Sequence, residues 1–396
     1  MSGDPDQQPE PKLPRRLWLV LPLLSLATIA GVVAAVEFVA RQVYVESKTT
    51  TFPCLVMNDA STGVRGVPNS TCSQKIFESK LTQFSLNSCG HRAGMECGPK
   101  PDDVYRIVLV GSSFSYGMWV PQEASFAALL PAELSRRTGR KIELYNESMQ
   151  WGTPHSVQLR FKEVLAAKPD MVLWALTPFD IENADVTLPF VPPADAGGAA
   201  DRASGLWGRL LAAASKKPIL DLIHDGWRRV VESLDQTRTV FMLQHLLYQS
   251  QSQYVKHYLM QGASASFLRT RPDAAWQAQL AQVDAYAADL ENQTRSIGAT
   301  FVGTMLPQRA QAAMISSAQW PAGFDPYQVG EDVRAIIERH GGTYVDVLHE
   351  FRAVPNPEQH YFAVDGHVDP DGHAIFSRLL ADALIAKGPA LFKGSP

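Results

Sequence analysis

The distribution of apolar and polar positions along the chain predicts strands that alternate with helices. Short apolar runs that include β-branched or aromatic residues are candidate strands, and amphipathic stretches between them are candidate helices. Such an alternation favours a parallel sheet covered on both faces, so we expect a three-layer α/β fold with five strands. The predicted strands are Tyr105–Val110, Lys141–Tyr145, Met171–Leu176, Ala299–Gly303 and Thr343–Val347, and the predicted helices are Ala124–Arg137, Ser156–Ala167, Ala274–Ser296, Val329–Arg339 and Asp371–Ala386.

Two parts of the chain depart from this rhythm. Residues 41–100 are rich in Ser, Thr, Asn and Gly with little periodicity, and they predict a stalk or cap that leads into a main domain over residues 101–390. Residues 185–271 contain no clean strand and have helical patterns at Ile219–Leu234 and Val240–Tyr258. We expect a helical insertion there, beside the sheet, where binding specificity is often built.

A longer apolar run near the N-terminus has the length of a membrane span. Leu17–Val36 contains no charged residue, and at about 1.5 Å rise per residue it would cross roughly 30 Å, the thickness of one hydrocarbon core. We therefore predict a transmembrane helix over residues 17–40. A cleaved signal peptide is the alternative, although its apolar part usually has only about 7–15 residues. A buried core helix fits poorly, because nothing around the run is amphipathic.

The basic residues around this run predict its orientation. Lys12, Arg15 and Arg16 precede it, and Arg41 is the first basic residue after it. The positive-inside rule then makes residues 1–16 a cytoplasmic tail and places the main domain outside the cytoplasm, in a periplasm or at the cell surface.

The four cysteines support export. Cys54, Cys72, Cys89 and Cys97 lie in one short segment, and the rest of the chain has none. An even number of cysteines in a loop-rich segment is typical of disulfides formed in an oxidising compartment. Four cysteines allow three pairings, of which we expect the sequential one. A zinc site is the alternative, but the C-x2-C spacing is absent.

Composition and charge exclude several classes of protein. Hydrophobic residues make up 45% of the chain and charged residues 19%, which is incompatible with a disordered protein. The formal net charge of −4 gives no electrostatic footprint for nucleic acid. No repeat is visible in the sequence.

The candidate chemistry lies where predicted strands end. The first strand runs into the turn Gly111–Gly117, which contains three serines. A serine on a tight strand-to-helix turn is exposed, and the N–H groups at the helix start favour a developing oxyanion. An ordinary βα turn with capping serines is the alternative for this turn taken alone. Polar blocks follow the next two strands at Asn146–Thr153 and Thr177–Asp180, and Asp365–His367 stands near the C-terminus.

The order of these blocks resembles the SGNH (GDSL-type) hydrolase superfamily. The closer resemblance is to its membrane-anchored or secreted bacterial members that are linked to acyl groups on polysaccharides. It covers roughly residues 84–386 without the insertion, and it includes the lead-in Asn87–Arg92, which resembles an N-x-x-G-x-R element. The resemblance implies a flavodoxin-like arrangement of the three layers.

The resemblance also implies a role for each site residue. Ser113 would be the nucleophile, His367 the general base and Asp365 the group that orients His367. The backbone N–H groups of Ser113 and Gly152 would contribute to an oxyanion hole. A serine hydroxyl needs a neighbouring imidazole to take its proton, and neither a metal nor a cofactor is expected.

Two departures from the family pattern affect this interpretation. Ser112 stands where the family usually has an Asp, and Phe179 stands where it usually has an Asn that donates to the oxyanion hole. Phenylalanine cannot donate a hydrogen bond. Asn183 and Asn146 are candidate substitutes, and the absence of a donor would cost about 10²–10³ in rate.

Several further residues have two interpretations. The aromatic residues Tyr116, Trp119 and Trp151 lie beside the expected site and would either stack on sugar rings or pack in the core. His155 is a pocket candidate or a surface histidine. The pair Asp371 and His373 repeats the D-x-H spacing, but Asp369–Pro370 resembles a helix start, which favours a structural role for His373. A metal site is the remaining alternative, formed by His360, Asp365, His367 and His373.

These patterns lead to one functional expectation with two alternatives. We expect a membrane-anchored extracytoplasmic serine esterase or O-acyltransferase acting on acylated envelope or exported polysaccharide, or on another ester. It would contact the membrane through residues 17–40, and an envelope-assembly partner would fit this setting. The first alternative is an inactive binding or assembly protein of a glycan pathway that keeps the fold. The second is a metal-dependent hydrolase.

Overall fold

A computed structural model of the chain describes residues 14, 16–45, 54–59, 63–185, 237–260 and 262–392. The predicted helix Ile219–Leu234 and most of the predicted cytoplasmic tail lie outside these residues. The chain divides into two compact units. One comprises Met1–Val45 with Lys217–Gln244, and the other comprises Glu46–Lys216 with His245–Pro396.

The first unit contains the long apolar helix expected from the sequence. Helix α1 spans Leu17–Val43, and in the described part of the chain it is the one helix long and apolar enough to cross a membrane. Glu37 lies near its end and accepts hydrogen bonds from the backbone N–H groups of Arg238 and Thr239. These N–H groups belong to the first turn of a second helix, where a carboxylate is a favourable cap.

The second unit begins with two short antiparallel ribbons. Strands β1 and β2 pair in the first ribbon, and β3 and β4 pair in the second. Disulfide bonds join Cys54 to Cys72 and Cys89 to Cys97, which is the sequential pairing. The strands are β1 (Leu55–Asp59), β2 (Gly63–Gly66), β3 (Thr71–Gln74) and β4 (Thr82–Ser85).

A five-stranded sheet forms the centre of the second unit. Its strands are all parallel and lie in the order β6-β5-β7-β8-β9, so the predicted five-stranded parallel sheet is confirmed. The order is 2-1-3-4-5 within the sheet, as in flavodoxin-like folds. The strands are β5 (Val104–Gly111), β6 (Lys141–Asn146), β7 (Met171–Leu176), β8 (Thr300–Met305) and β9 (Thr343–Val345).

Helices cover both faces of this sheet and give the three expected layers. Helices α3 and α11 pack together on one face, and α4, α8 and α10 pack in series on the other, as right-handed crossovers require. The helices that follow α1 along the chain are α2 (Ser113–Tyr116), α3 (Phe126–Thr138), α4 (Pro154–Ala166), α5 (Pro178–Glu182), α6 (Arg238–Tyr248), α7 (Gln251–Leu259), α8 (Ala274–Ser296), α9 (Arg309–Ser317), α10 (Gln328–Arg339) and α11 (Pro370–Ala386).

The local sequence explains where the helices begin. Ser125 caps α3 by accepting a hydrogen bond from the Ala128 N–H. Thr153 and Ser156 form a reciprocal capping box at the start of α4, with Pro154 as the first helical residue. Both arrangements satisfy N–H groups that have no partner within the helix, and they fix the helices that follow the first two strands of the sheet.

The pattern of apolar residues did not predict α9. Every side chain of α9 from Arg309 to Ile315 is buried, so this part of the helix has no exposed polar face to produce a 3.6-residue period. The helical pattern at Val240–Tyr258 corresponds to two helices, because α6 ends at Tyr248 and α7 begins at Gln251.

Burial on α4 gives a direct test of this architecture. Phe161 is fully buried against the sheet, whereas Leu159 on the same helix keeps 39% of its surface exposed. We expect Phe161→Ala to lower the free energy of unfolding by about 3–5 kcal/mol, and Leu159→Ala by about 1 kcal/mol or less. Urea unfolding of the full chain in detergent micelles, followed by fluorescence, measures both. Equal losses would contradict the assignment of α4's inner face.

Candidate active site

The end of β5 delivers Ser113 to the carboxyl edge of the sheet. Gly111 closes the strand, Ser112 is in an extended conformation, and Ser113 is the first residue of α2. A side chain at Gly111 would collide with the Ser115 hydroxyl and the Ala175 carbonyl. The glycine therefore permits the tight turn that exposes the Ser113 hydroxyl next to β7, where the strand order reverses.

A second turn brings His367 to the same edge from the C-terminal part of the chain. Tyr361 and Val368 form an isolated antiparallel bridge, and the Phe362 N–H donates to the His367 carbonyl at 2.8 Å. Gly366 adopts a φ of 86° within this turn, a conformation that favours glycine. We call residues 361–368 the histidine turn.

Ser113, His367 and Asp365 form a continuous hydrogen-bonded relay. The Nε2 atom of His367 lies 2.8 Å from the Ser113 Oγ, and its Nδ1 atom lies 2.7 Å from an Asp365 carboxylate oxygen. The ring of Phe114 packs against the imidazole at a centroid distance of 5.1 Å. With Nδ1 bonded to Asp365, the imidazole of His367 directs its Nε2 atom at the serine hydroxyl.

The electrostatics of the relay keep Asp365 ionised. Burial opposes ionisation, but the charge of His367 and its side-chain and backbone hydrogen bonds hold the pKa of Asp365 below its usual value. The indole N–H of Trp119 also faces this carboxylate and lowers its pKa, without the geometry of a regular hydrogen bond. The Asp365 side chain keeps 23% of its surface exposed.

The oxyanion donors differ from the expectation. The Ser113 N–H begins α2, so it has no partner within the helix. The Gly152 N–H instead donates to the Met149 carbonyl at 2.9 Å, because Trp151 adopts a φ of 65° and folds the chain into a tight turn. The structure therefore does not support Gly152 as a free oxyanion donor.

The two candidate asparagines are also engaged. The Asn183 side-chain amide donates to the Phe179 carbonyl at 2.9 Å, and the Asn146 amide donates to the Ser115 carbonyl at 2.9 Å. Neither hydrogen bond involves Ser113. The Asn146 amide instead binds the backbone of α2, and Asn183 is the C-cap residue of α5.

Ser112, which replaces the family's usual Asp, faces a buried carboxylate. Asp180 accepts hydrogen bonds from the Thr177 N–H and hydroxyl at 2.6 and 2.7 Å. Burial raises the pKa of Asp180 to about 6, against the lowering effect of Thr177 and Ser112. The third sequence block therefore supports the turn that carries the serine.

The three aromatic candidates occupy different environments. Tyr116 is fully buried and packs edge-on against Phe84, so it belongs to the core and is not open to a substrate. Trp119 faces Asp365, and Trp151 keeps 40% of its surface exposed. Of the three, Trp151 is the one that presents a large ring to solvent.

Two of the candidate histidines outside the relay, His373 and His155, have structural partners. His373 is buried in α11, stacks on Phe126 and accepts a hydrogen bond from its N–H, and burial lowers its pKa to about 3. Asp369 caps α11, as expected. His155 bonds to the Tyr286 hydroxyl at 3.2 Å.

The residues weighed as a metal site do not gather as one. In the parts of the chain that the structure describes, the group with ligand atoms within 4.8 Å of one another is Glu331, Asp346 and His349. There Asp346 already binds Arg334 and His349, so its carboxylate is engaged.

Glu78 is a site residue that sequence reasoning missed. Its carboxylate accepts hydrogen bonds from the backbone N–H groups of Val364 and Asp365, each at 3.0 Å. It also lies 2.8 Å from the Nδ1 atom of His245, and its side chain is only 3% exposed. Glu78 therefore fixes the backbone of the histidine turn. No motif surrounds it in the sequence, so no pattern pointed to it.

Arg92 stabilises the backbone that follows Ser113. Its buried guanidinium donates to the carbonyls of Tyr116, Gly117 and Val120, which follow Ser113. It lies about 5 Å from the centres of the Phe84 and Tyr116 rings. The lead-in motif contained Arg92, and the structure gives it a positioning role at the end of α2.

The similarity of the chain to known proteins is distant. No family model and no curated protein sequence matches the chain. Solved structures similar to the chain include LAE5, an alpha/beta hydrolase enzyme from the metagenome of Lake Arreo, with 15% identity over 72% of this chain and a TM-score of 0.39. They also include Axe2, an acetyl-xylooligosaccharide esterase from Geobacillus (14% identity, 73% of this chain, TM-score 0.38), and the lipase/acylhydrolase from Enterococcus faecalis (12% identity, 72% of this chain, TM-score 0.35). The match includes 96% of the length of each of these three proteins. Identity and TM-score are low, so the roles of individual residues depend on their own geometry.

The contacts of Glu78 predict that replacing its carboxylate slows the reaction of Ser113 with a covalent probe. In Glu78→Gln the side chain keeps its size but loses the charge that holds two N–H groups, so the histidine turn shifts. We expect the rate at which a fluorophosphonate labels Ser113 to fall by roughly 10- to 100-fold, with unchanged circular dichroism. Glu338→Gln, an exposed change on α10, is the control and should label like the wild type. Unaltered labelling in Glu78→Gln would exclude a positioning role.

Proposed function

We propose that the chain is a membrane-anchored, extracytoplasmic serine ester hydrolase or O-acyltransferase. The observation that carries this proposal is the relay from Asp365 through His367 to Ser113, with contacts of 2.7 and 2.8 Å. A serine hydroxyl bonded to an imidazole that a carboxylate orients is the arrangement that activates serine for acyl transfer.

Each group has a defined part in the reaction. The Ser113 Oγ attacks the ester carbonyl while His367 Nε2 accepts its proton, and the carbonyl oxygen becomes an oxyanion next to the Ser113 N–H. The bond to the alcohol then breaks, the alcohol takes the proton from His367, and the acyl group remains on Ser113. Water or a second alcohol attacks this ester, with His367 again moving the proton. Hydrolysis and transfer differ only in that last acceptor.

The proposed substrate is an acyl ester on an envelope or exported polysaccharide. The exposed ring of Trp151 lies one residue from Gly152, at the edge of the sheet that carries Ser113, and an exposed indole suits a sugar ring. The family resemblance supports the same class of substrate by analogy. An assembly partner of the envelope is part of this proposal.

The proposed location rests on α1 and the disulfides. Residues 17–40 would be the anchor, with residues 1–16 in the cytoplasm. Residues 41–100 would form the disulfide-tied cap, and residues 101–390 the catalytic domain with its insertion at about 185–271. Both disulfides lie in the cap, and such bonds persist in oxidising compartments.

One observation favours an alternative, a catalytically inactive binding or assembly protein. The Gly152 N–H and the amides of Asn183 and Asn146 all bond elsewhere, which leaves the Ser113 N–H as the free donor among the oxyanion candidates. A site with one donor would be a slow catalyst. The alternative predicts glycan binding without turnover.

A covalent probe separates the two functions. We expect a fluorophosphonate to form an adduct on Ser113 of the full chain in detergent micelles, mapped by mass spectrometry. Ser113→Ala should remove the adduct, while Ser115→Ala, in the same turn, should keep it. A folded wild type that forms no adduct would favour the inactive protein.

The orienting role of Asp365 gives a kinetic test. Asp365→Asn keeps the shape of the side chain but no longer stabilises the imidazolium, so we expect kcat for p-nitrophenyl acetate hydrolysis to fall by roughly 10³- to 10⁴-fold with KM little changed. Asp382→Asn, on the exposed side of α11, is the matched control. A loss below about tenfold would contradict a triad.

A further inference from the structure

Helix α6 exposes three leucines on one side. Leu243, Leu246 and Leu247 keep 50%, 55% and 53% of their surfaces exposed. Their spacing of three and four residues makes them neighbours on the surface of a helix, so they form one apolar strip. We call this strip the leucine face.

A strip of this kind calls for a partner. Single exposed apolar side chains are common on folded proteins, whereas an exposed apolar cluster marks a surface that contacts another molecule or a membrane. In the described part of the chain after Val45, the other large apolar side chains with strong exposure are separated along the sequence, at Leu81, Trp151, Leu159, Met260 and Ile297.

The opposite side of α6 carries contacts with other parts of the chain. His245 lies 2.8 Å from a carboxylate oxygen of Glu78, and the ring of Tyr248 packs edge-on against Tyr254 with ring centres 5.3 Å apart. At about 100° per residue, these two side chains of α6 lie roughly opposite to the leucine face. The leucines are therefore exposed because of the way α6 is oriented, and not because the helix lacks contacts.

The first turn of α6 is bonded to the end of the proposed anchor. Glu37 is the first charged residue after the apolar run Leu17–Val36, which is where a spanning helix leaves the hydrocarbon core. Its carboxylate accepts hydrogen bonds from the N–H and the hydroxyl of Thr239, each at 2.8 Å. With α1 in a membrane, these bonds hold the start of α6 at the membrane surface.

Two further features fit this level. Tyr44, directly after α1, packs edge-on against Phe241 of α6 with ring centres 5.1 Å apart, and tyrosine is enriched where spanning helices meet water. The leucine face begins four residues after Thr239 and ends eight residues after it. This is about 6–12 Å along the helix axis, so the face is within reach of the headgroup layer.

We propose that the leucine face of α6 lies in the headgroup layer of the membrane that α1 spans, with the three leucines at the boundary of the acyl chains. A helix with one apolar face is the type that lies in the plane of a membrane interface, buried about 5–10 Å deep. The inference rests on the proposed anchor and is independent of the role of Ser113. Helix α6 is then a second membrane contact beside the anchor.

Quenching by nitroxide-labelled lipid measures the depth of the leucine face. All four cysteines of the chain are in disulfides, so Leu243→Cys, Leu246→Cys or Leu247→Cys supplies the single thiol that an NBD maleimide labels. Each labelled full chain is reconstituted in phosphatidylcholine vesicles with nitroxide either near the headgroup or near the end of the acyl chains. We expect the shallow nitroxide to remove at least about twice the share of emission from these probes that it removes from a Leu159→Cys probe on α4.

A probe in the anchor separates failure of this inference from failure of the proposed location. Leu26→Cys places NBD within the apolar part of α1, where the deep nitroxide should quench it more than the shallow one. Quenching at position 26 without the extra quenching on α6 overturns the leucine face as a membrane contact and leaves the anchor in place. Absence of quenching at position 26 overturns the anchor and this inference with it. Emission from α6 that is shifted to the blue but insensitive to both nitroxides indicates cover by protein, and it also overturns the proposal.

Added charge tests whether the apolar side chains cause the contact. Because a carboxylate is costly to immerse in a membrane, Leu243→Glu combined with Leu247→Glu should abolish the extra quenching of a Leu246→Cys probe. Gln249→Glu combined with Gln253→Glu adds the same charge at exposed polar positions nearby and should leave the quenching unchanged. Extra quenching that survives the leucine substitutions in a folded protein, as judged by circular dichroism, overturns the proposal.

Discussion

The hydrogen bond between His367 and Ser113 is the contact on which the rest of the site depends. Each partner lies on a tight turn that another part of the chain must hold. The serine turn requires Gly111 at the end of β5 and Arg92 on the carbonyls that follow α2. The histidine turn requires Glu78 on its N–H groups. A shift of either turn by a fraction of an ångström would break a 2.8 Å contact.

Buried arginines are the common means by which this domain fixes its irregular backbone. Arg92 donates to three carbonyls after α2, and Arg309 donates to the carbonyls of Glu358, Ala363 and Tyr248. Arg106 similarly donates to the backbone carbonyls of Gly98 and Ala167. A guanidinium has five N–H donors in a rigid plane, so one side chain satisfies several loop carbonyls that no helix or strand would pair. The loops at the sheet edge are therefore ordered without regular secondary structure.

The sequence predicted the sheet well because β5 and β7 are buried on both faces and appear as unbroken apolar runs. The resemblance of the sequence to a known family also assigned Ser113, Asp365 and His367 to one site. It could not predict long-range contacts that leave no local pattern: Glu78 lies in an irregular segment, and α9 is buried on all sides. The sequence also could not show that Trp151, with its positive φ, turns the chain so that the Gly152 N–H donates to the Met149 carbonyl. A motif identifies residue types but does not fix backbone direction.

The separation of the relay along the chain has a consequence for biosynthesis. Ser113 and His367 are 254 positions apart, so a ribosome that adds about 5–20 residues per second makes the serine roughly 10 to 50 s before its base. During that interval the nascent chain carries an ordinary hydroxyl. A polypeptide released early, anywhere before the histidine turn, lacks the imidazole altogether. The proposed reactivity of Ser113 toward esters therefore cannot arise before residue 367 has been synthesised.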